Sequence, residues 1–95
     1  MTAVIVDDLT DVLDDIGTGN ADCQVILYND NHNTFDFVVD ILMSIFGHPA
    51  QLAEKMAMEA HTQGRAIVEF TDEQTALEHC NELRGVGLGS DVEKV

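Results

Sequence analysis

The sequence predicts a single α+β domain whose elements follow in the order strand, helix, helix, strand, helix, strand. The chain has 95 residues, which is the length of one domain. Two short apolar runs rich in β-branched residues, 23–28 and 66–70, are typical of strands. Three segments carry apolar residues at spacings of three and four, which is typical of helices. Helices covering one face of a sheet are the economical packing at this size.

The first predicted strand and the first predicted helix are separated by a polar loop. The strand covers 23–28, and five consecutive polar, turn-forming residues, 29–33, follow it. Asn33 is expected to cap the helix, with Asp36 as the reciprocal acidic residue three positions later. The expected apolar face of this helix consists of Val38, Ile41, Leu42 and Ile45. Gly47 is expected to end the helix.

The second and third helices have start and stop signals of their own. Pro49 fits the first turn of the second helix, and Gly64 ends it. Thr71 and Gln74 are expected to form a capping box at the start of the third helix. A glycine-rich turn over 85–89 then precedes a possible last strand over 91–95. The expected buried residues are Leu52, Ala53, Met56, Ala57 and Ala60 on the second helix and Ala76, Leu77, Cys80 and Leu83 on the third.

Residues 1–22 are expected to be a flexible acidic extension, and residues 23–95 the folded domain. The spacing of apolar residues in the extension allows a short helix, but one this short and acidic is marginal in isolation. The extension is either a motif that orders on a partner or a solvated tail without a role. Because the N-terminus lacks a basic segment followed by a long apolar run, no secretory signal is expected. The cytoplasm is the expected location, and a monomer the expected state.

The charge of the chain is strongly negative. Eighteen acidic residues face four basic ones, which gives a formal net charge of −14 with the histidines neutral. Phosphate contacts need Lys and Arg, so nucleic acid and anionic membranes are poor candidate partners. The acidic field is suited to steering a cationic ligand or a basic protein surface. Solubility or adaptation to salt explains the excess equally well.

The sequence contains no pattern typical of an enzyme or of a metal site. It has no glycine-rich phosphate loop, no nucleophile elbow and no Cys-x-x-Cys pair. The four histidines are not at zinc-ligand spacing, and the two cysteines are expected in the core. A calcium loop over 29–40 fails because Thr34 stands where glycine is needed, and Asp40 stands in place of the final Glu. No catalytic residue, cofactor or metal is therefore expected.

Five segments carry motifs at a definite spacing: 25–31 with its Asn-Asp end, 37–42, 45–47, 60–66 with its His-x-x-Gly-Arg-Ala motif, and 71–73. These motifs resemble those of the ClpS adaptor family. Their joint spacing is specific, although each alone is weak, and the resemblance covers roughly 23–95. It implies a three-stranded antiparallel sheet packed on three helices. It also implies an adaptor that binds proteins by a bulky apolar first residue, an N-degron, and delivers them to a Clp AAA+ unfoldase.

The resemblance assigns a clamp for the α-amino group of the bound protein to Asn29, Asp30 and His61. A free α-amino group has a pKa of about 8 and is mostly a cation at pH 7, so it needs acceptors held in place. An amide oxygen, a carboxylate and a neutral imidazole nitrogen are such acceptors. The resemblance also implies a pocket for the first side chain, lined by Leu27, Asn31, Thr34, Phe35, Val38, Ala57, Met58, Ala60 and Gly89.

The pocket walls depart from the family pattern at four positions. Phe35 stands where the family usually has Met, Ala57 where Met is common, Ala60 where Val is common, and Gly89 at an apparent Leu position. Relative to the family pattern, the side chain at one wall position is larger, and those at two or three positions are smaller. We therefore expect a reordered preference among Phe, Leu, Tyr and Trp as the first residue.

The third helix carries the residues expected to face the unfoldase. Glu73 matches an acidic position of that surface, whereas Glu78 stands where many members of the family have Lys. The resemblance implies a ClpA- or ClpC-like unfoldase. Because a charge reversal rejects some partners, a ClpC-like or otherwise divergent unfoldase is expected rather than the commonest ClpA type. The alternative is a protein-interaction domain of similar fold, resembling the C-terminal domain of the ribosomal stalk, without a pocket for an N-terminal residue. That alternative gives no reason for Asn29, Asp30 and His61 to converge.

Overall fold

A computed structural model describes residues 21–95 of the chain. It confirms the predicted order of elements and the predicted fold class. The expected acidic extension lies outside the described residues, apart from residues 21 and 22. The strands are β1 (Cys23–Tyr28), β2 (Arg65–Thr71) and β3 (Ser90–Lys94), and the helices are α1 (Phe35–Phe46), α2 (Ala50–Gln63) and α3 (Glu73–Gly85).

β1 is the central strand of an antiparallel sheet with the order β2-β1-β3. Val25 and Leu27 belong to the buried core of the domain. Ile26, which alternation places on the opposite face, is also fully buried and is paired with Ile67 and Asp91 of the flanking strands. The register between β1 and β2 shifts at the step from Val25 to Ile26. A shift of this kind bends the strand locally.

Glycines end α1 and α2 as predicted. Gly47 and Gly64 adopt the left-handed conformation, with φ of 72° and 92°, and their N–H groups donate to Met43 and Ala60. Left-handed backbone favours glycine because it has no Cβ. The turn at Gly64 leads directly into β2 at Arg65, so the last turn of α2 lies beside the sheet.

The caps of all three helices differ from the predicted ones. The cap of α1 is Thr34, whose hydroxyl accepts from the N–H of Phe37 at 3.1 Å. The cap of α3 is Asp72, because Thr71 is the last residue of β2 and is buried opposite Cys23. Pro49 is the cap of α2 and not a residue of its first turn.

The core contains most of the predicted apolar positions. On α1, Val39 and Leu42 are buried, whereas Val38, Ile41 and Ile45 are only partly buried. Leu77 was expected in the core, but its side chain is 48% exposed. The buried residues of α3 are Ala76, Cys80 and Leu83. Leu88, in the turn before β3, is 2% exposed and was not predicted as a core residue.

The Thr34 cap provides a test of the helix start. We expect Thr34→Ala to lower the free energy of unfolding by about 1 kcal/mol, because it leaves the N–H of Phe37 without its side-chain acceptor. Urea denaturation measures this change. Thr34→Ser keeps the hydroxyl and should stay close to wild type. Equal losses in both variants would show that packing of the threonine methyl group, and not the cap, is responsible.

Candidate functional site

A cavity of about 420 Å³ opens between the end of β1, the following loop and the helices α1 and α2. Its apolar lining residues lie on β1, α1 and α2, and its polar ones lie at the end of β1, in the loop that follows and in the last turn of α2. The lining residues are Leu27, Tyr28, Asn29, Asp30, Asn31, Asn33, Phe35, Val38, Ala57, Met58, Ala60 and His61.

Backbone hydrogen bonds fix the start of the loop on both sides. The N–H of Tyr28 donates to the carbonyl of Gly89 at 3.0 Å, and the N–H of Asn29 donates to the carbonyl of Gly64 at 2.9 Å. The second bond joins the end of β1 to the end of α2. It brings Asn29 and His61, which are far apart in the sequence, to the same cavity.

Asp30 is held as an anion by donors from its own loop. Its carboxylate accepts from the N–H of His32 at 2.7 Å and from the side-chain amide of Asn33. These bonds, that of His32 foremost, lower the pKa of Asp30 below its usual value. The ionised carboxylate therefore stabilises the folded state above the unfolded pKa, and this stabilisation is lost as the pH falls through the folded pKa.

His61 lies in the last turn of α2, and its side chain is exposed. Within residues 21–95, no hydrogen bond to its imidazole is found. A neutral imidazole has one acceptor nitrogen, so the ring is available to a ligand in the cavity. Asn29, which is also exposed, has an amide oxygen that can serve in the same way.

The apolar part of the cavity combines small buried walls with large exposed rims. Ala57 and Ala60, on α2, are 4% and 3% exposed, and Leu27 is 1% exposed. Phe35 and Met58 are 39% and 48% exposed. The two alanines leave space that longer side chains would fill. The two large rim residues remain open to solvent and provide apolar surface for a ligand.

Most of the predicted pocket residues line this cavity, but Thr34 and Gly89 do not. The hydroxyl of Thr34 is used in the cap of α1. Gly89 packs against Tyr28, whose Cβ is 3.4 Å from the place where a Cβ on Gly89 would lie. Tyr28 and Asn33 also line the cavity and are not among the predicted pocket residues. The position of Tyr28 at the end of β1, directly before the clamp motif, was the available signal, whereas Asn33 was assigned to a helix cap.

Two other histidines have packing roles. The rings of His48 and His79 both pack on Phe46, at centroid distances of 5.4 Å and 5.0 Å. His79 Nδ1 lies 2.6 Å from a carboxylate oxygen of Glu69, whose pKa is raised by burial. His48 Nε2 lies 2.8 Å from the carbonyl of Val68. These contacts join α1, α3 and β2 away from the cavity.

The two residues expected to face an unfoldase are both exposed on α3. Glu73 is its first residue, and its carboxylate lies 3.8 Å from the ammonium group of Lys94. That ammonium group is also 3.5 Å from Asp22, the residue before β1. Glu78 follows five positions after Glu73, so the helical period places it on a different side of α3.

The described part of the chain shows neither a metal site nor a membrane span. In residues 21–95, no three side chains of His, Cys, Asp or Glu are grouped so that they could hold a metal ion. No helix in that range has the length and apolar character needed to cross a bilayer.

Residues 19–88 match the family model of the ATP-dependent Clp protease adaptor protein ClpS. The chain is 42% identical over 71 residues to the chloroplastic Clp protease adapter CLPS1 of Arabidopsis thaliana, covering 74% of this chain and 45% of that protein. It is 37% identical over 71 residues to the ClpS adapter of Synechococcus elongatus, covering 74% of this chain and 75% of that protein. A ClpS adapter of Syntrophus aciditrophicus is 46% identical over 44 residues, or 46% of this chain and 41% of that protein. The chain thus spans less than half the length of the Arabidopsis and Syntrophus proteins.

A solved structure with a similar fold is that of Agrobacterium tumefaciens ClpS2 bound to L-phenylalaninamide. Its TM-score is 0.69 at 23% sequence identity, and the match covers 80% of this chain and 99% of that one. At this identity the likeness supports the fold.

Proposed function

The chain belongs to the ClpS family, and from that premise we propose that it is an adaptor that binds proteins by a free, bulky, apolar N-terminal residue. The adaptor then delivers the bound protein to a Clp AAA+ unfoldase for degradation. The observation that carries this proposal is the pairing of an apolar cavity with an ionised carboxylate and two unused acceptors in its lining.

The polar and apolar parts of the cavity match the α-amino group and the side chain of an N-terminal residue. The α-amino group is a cation at neutral pH, and Asn29, Asp30 and His61 are proposed to accept its three hydrogens. The side chain is proposed to enter the apolar part, between Leu27 and the small walls on α2. An internal residue of a protein has no α-ammonium group, so the clamp would select chain ends.

The expected affinity is modest. A hydrogen bond to a charged group contributes about 1.5–3 kcal/mol, and burying a large apolar side chain contributes about 1.5–3 kcal/mol. Two or three such contributions, less the cost of ordering the peptide, place the dissociation constant near the micromolar range. Binding in this range allows the adaptor to release its cargo to the unfoldase.

We propose that the exposed start of α3 contacts the unfoldase. Glu73 provides an acidic contact there for a ClpA- or ClpC-like unfoldase. Glu78 replaces the usual Lys of the family, and this charge reversal favours a ClpC-like or otherwise divergent partner over the commonest ClpA type. The proposed state is a monomer, and the proposed location is the cytoplasm. No step of this function requires a catalytic residue or a cofactor.

Fluorescence anisotropy with a labelled peptide tests the proposal. A peptide that begins with free Leu or Phe should bind. Its N-acetylated twin keeps the apolar side chain but has no ammonium group, so it should bind measurably but at least about tenfold more weakly. The proposal fails if no peptide with a bulky first residue binds, or if the acetylated peptide binds equally well. A failure of this kind would favour the stalk-like interaction domain, because that alternative needs no pocket.

His61→Ala should weaken binding of the free-amine peptide by about fivefold to tenfold, because it removes one neutral acceptor from the clamp. The same anisotropy titration measures this loss. Gln63→Ala is the matched control, since Gln63 is an exposed residue of the same helix end that does not line the cavity. Equal losses in the two variants would show that the end of α2, and not the imidazole, is what matters.

A further inference from the structure

Asn33 joins the loop of the clamp to the turn between α3 and β3. Its side-chain amide donates to the carboxylate of Asp30 and also to the carbonyl of Gly87, at 3.2 Å. An amide nitrogen carries two hydrogens, so these two contacts use its full donor capacity. They connect segments that are 54 positions apart in the sequence.

The carbonyl of Gly87, which accepts from Asn33, belongs to a turn that is held by hydrogen bonds and by burial of the next residue. Gly87 has a φ of 93°, and its N–H donates to the backbone carbonyl of Arg84 at 3.0 Å. The next residue, Leu88, is 2% exposed and donates to the carbonyl of Leu83 at 3.0 Å. The carbonyl of Gly87 is therefore held by a turn that is itself fixed in the core.

We propose that Asn33 is a positioning residue that orients the Asp30 carboxylate toward the α-amino group of the bound protein. This inference rests on the function proposed above. Asn33 contacts one carboxylate oxygen of Asp30, and the N–H of His32 contacts the other. Each oxygen of an ionised carboxylate has about two acceptor sites, so both retain capacity for the ammonium group. The anchor at Gly87 keeps the carboxylate from turning out to solvent before the ligand arrives.

A merely structural role for Asn33 would give a different result. If Asn33 only shaped the cavity, its loss would weaken the free-amine peptide and the acetylated peptide by the same factor. If Asn33 orients Asp30, its loss weakens only the interaction with the ammonium group. The ratio of the two affinities therefore separates the two roles.

The experiment compares Asn33→Ala with wild type for both peptides at pH 7.5. We expect about a fivefold weaker binding of the free-amine peptide, no change for the acetylated peptide, and partial rescue by Asn33→Thr, whose hydroxyl has one hydrogen to donate. Asn81→Ala, at an exposed position of α3, is the control for the type of substitution. Equal weakening of both peptides, or no weakening of either, would overturn the proposal.

A second measurement requires no ligand and separates this inference from the proposed function. NMR titration of the side-chain carboxyl of Asp30 should give a higher pKa in Asn33→Ala than in wild type, because one donor to the carboxylate is lost. Tyr28 and His61 are the other titratable residues that line the cavity, and His32 lies in the same loop as Asp30; all three are retained in the variant. An unchanged Asp30 titration would overturn the positioning role. If wild type bound no free-amine peptide, the proposed function would fail while this measurement still decided the role of Asn33.

Discussion

Asp30→Asn should weaken binding of a peptide with a free bulky first residue by roughly 50-fold. The variant removes the one carboxylate of the clamp, and hydrogen bonds to a charged group contribute about 1.5–3 kcal/mol. The amide that replaces it also presents N–H donors, which repel an ammonium group. Since donors in its own loop lower the pKa of Asp30, the wild-type carboxylate is ionised throughout the neutral range. Anisotropy titration with the free-amine peptide measures the loss.

Asp40→Asn is the matched control for this variant. Asp40 is an exposed residue of α1 that does not line the cavity, so the substitution removes the same charge from another place. We expect it to change the affinity less than about twofold, because separated surface charges are screened at physiological salt. Comparable losses in both variants would mean that the general acidic field of the protein attracts the amine and that Asp30 has no special position.

The elements and their glycine ends could be predicted because their causes are local. A left-handed turn at Gly47 or Gly64 depends on the backbone of a few residues. The caps could not be predicted as well, since Asn33 and Thr34 are adjacent and both are capable of capping α1. The choice between them depends on Gly87, a distant residue that engages the amide of Asn33 and leaves the cap to Thr34.

The clamp and the apolar pocket were predictable to different extents. Asn29, Asp30 and His61 belong to two motifs, and the hydrogen bond between Asn29 and Gly64 brings those motifs to one cavity. The side chains beyond the motifs depend on how the helices pack. Leu77 illustrates this, because its spacing fits the buried stripe of α3 while the packing of that helix leaves it exposed.

Ala57→Met should shift the preference of the pocket from larger toward smaller first residues. We expect about 30-fold weaker binding of a peptide that begins with Trp and less than about threefold weaker binding of one that begins with Leu. Ala57 is 4% exposed and lines the cavity, so the longer side chain extends into the space that a first residue would occupy. A difference of one methylene in an apolar pocket changes discrimination by about 1–3 kcal/mol, and this variant adds more than one. Anisotropy with peptides that differ only in their first residue gives the ranking.

Ala50→Met places the same side chain at an exposed position at the start of α2, and it should leave the ranking unchanged. Ala60→Val is a smaller change on the neighbouring wall, and it provides the test if Ala57→Met fails to fold, which urea denaturation would reveal. Valine there should weaken the Trp peptide more than the Leu peptide, by a smaller factor than Met at 57. If Ala60→Val changed the affinity of neither peptide, the side chain of the first residue would not reach the α2 wall. Ala57 and Ala60 would then not determine which first residue is preferred. The next residue to substitute would be Phe35, the larger side chain at the rim of the cavity.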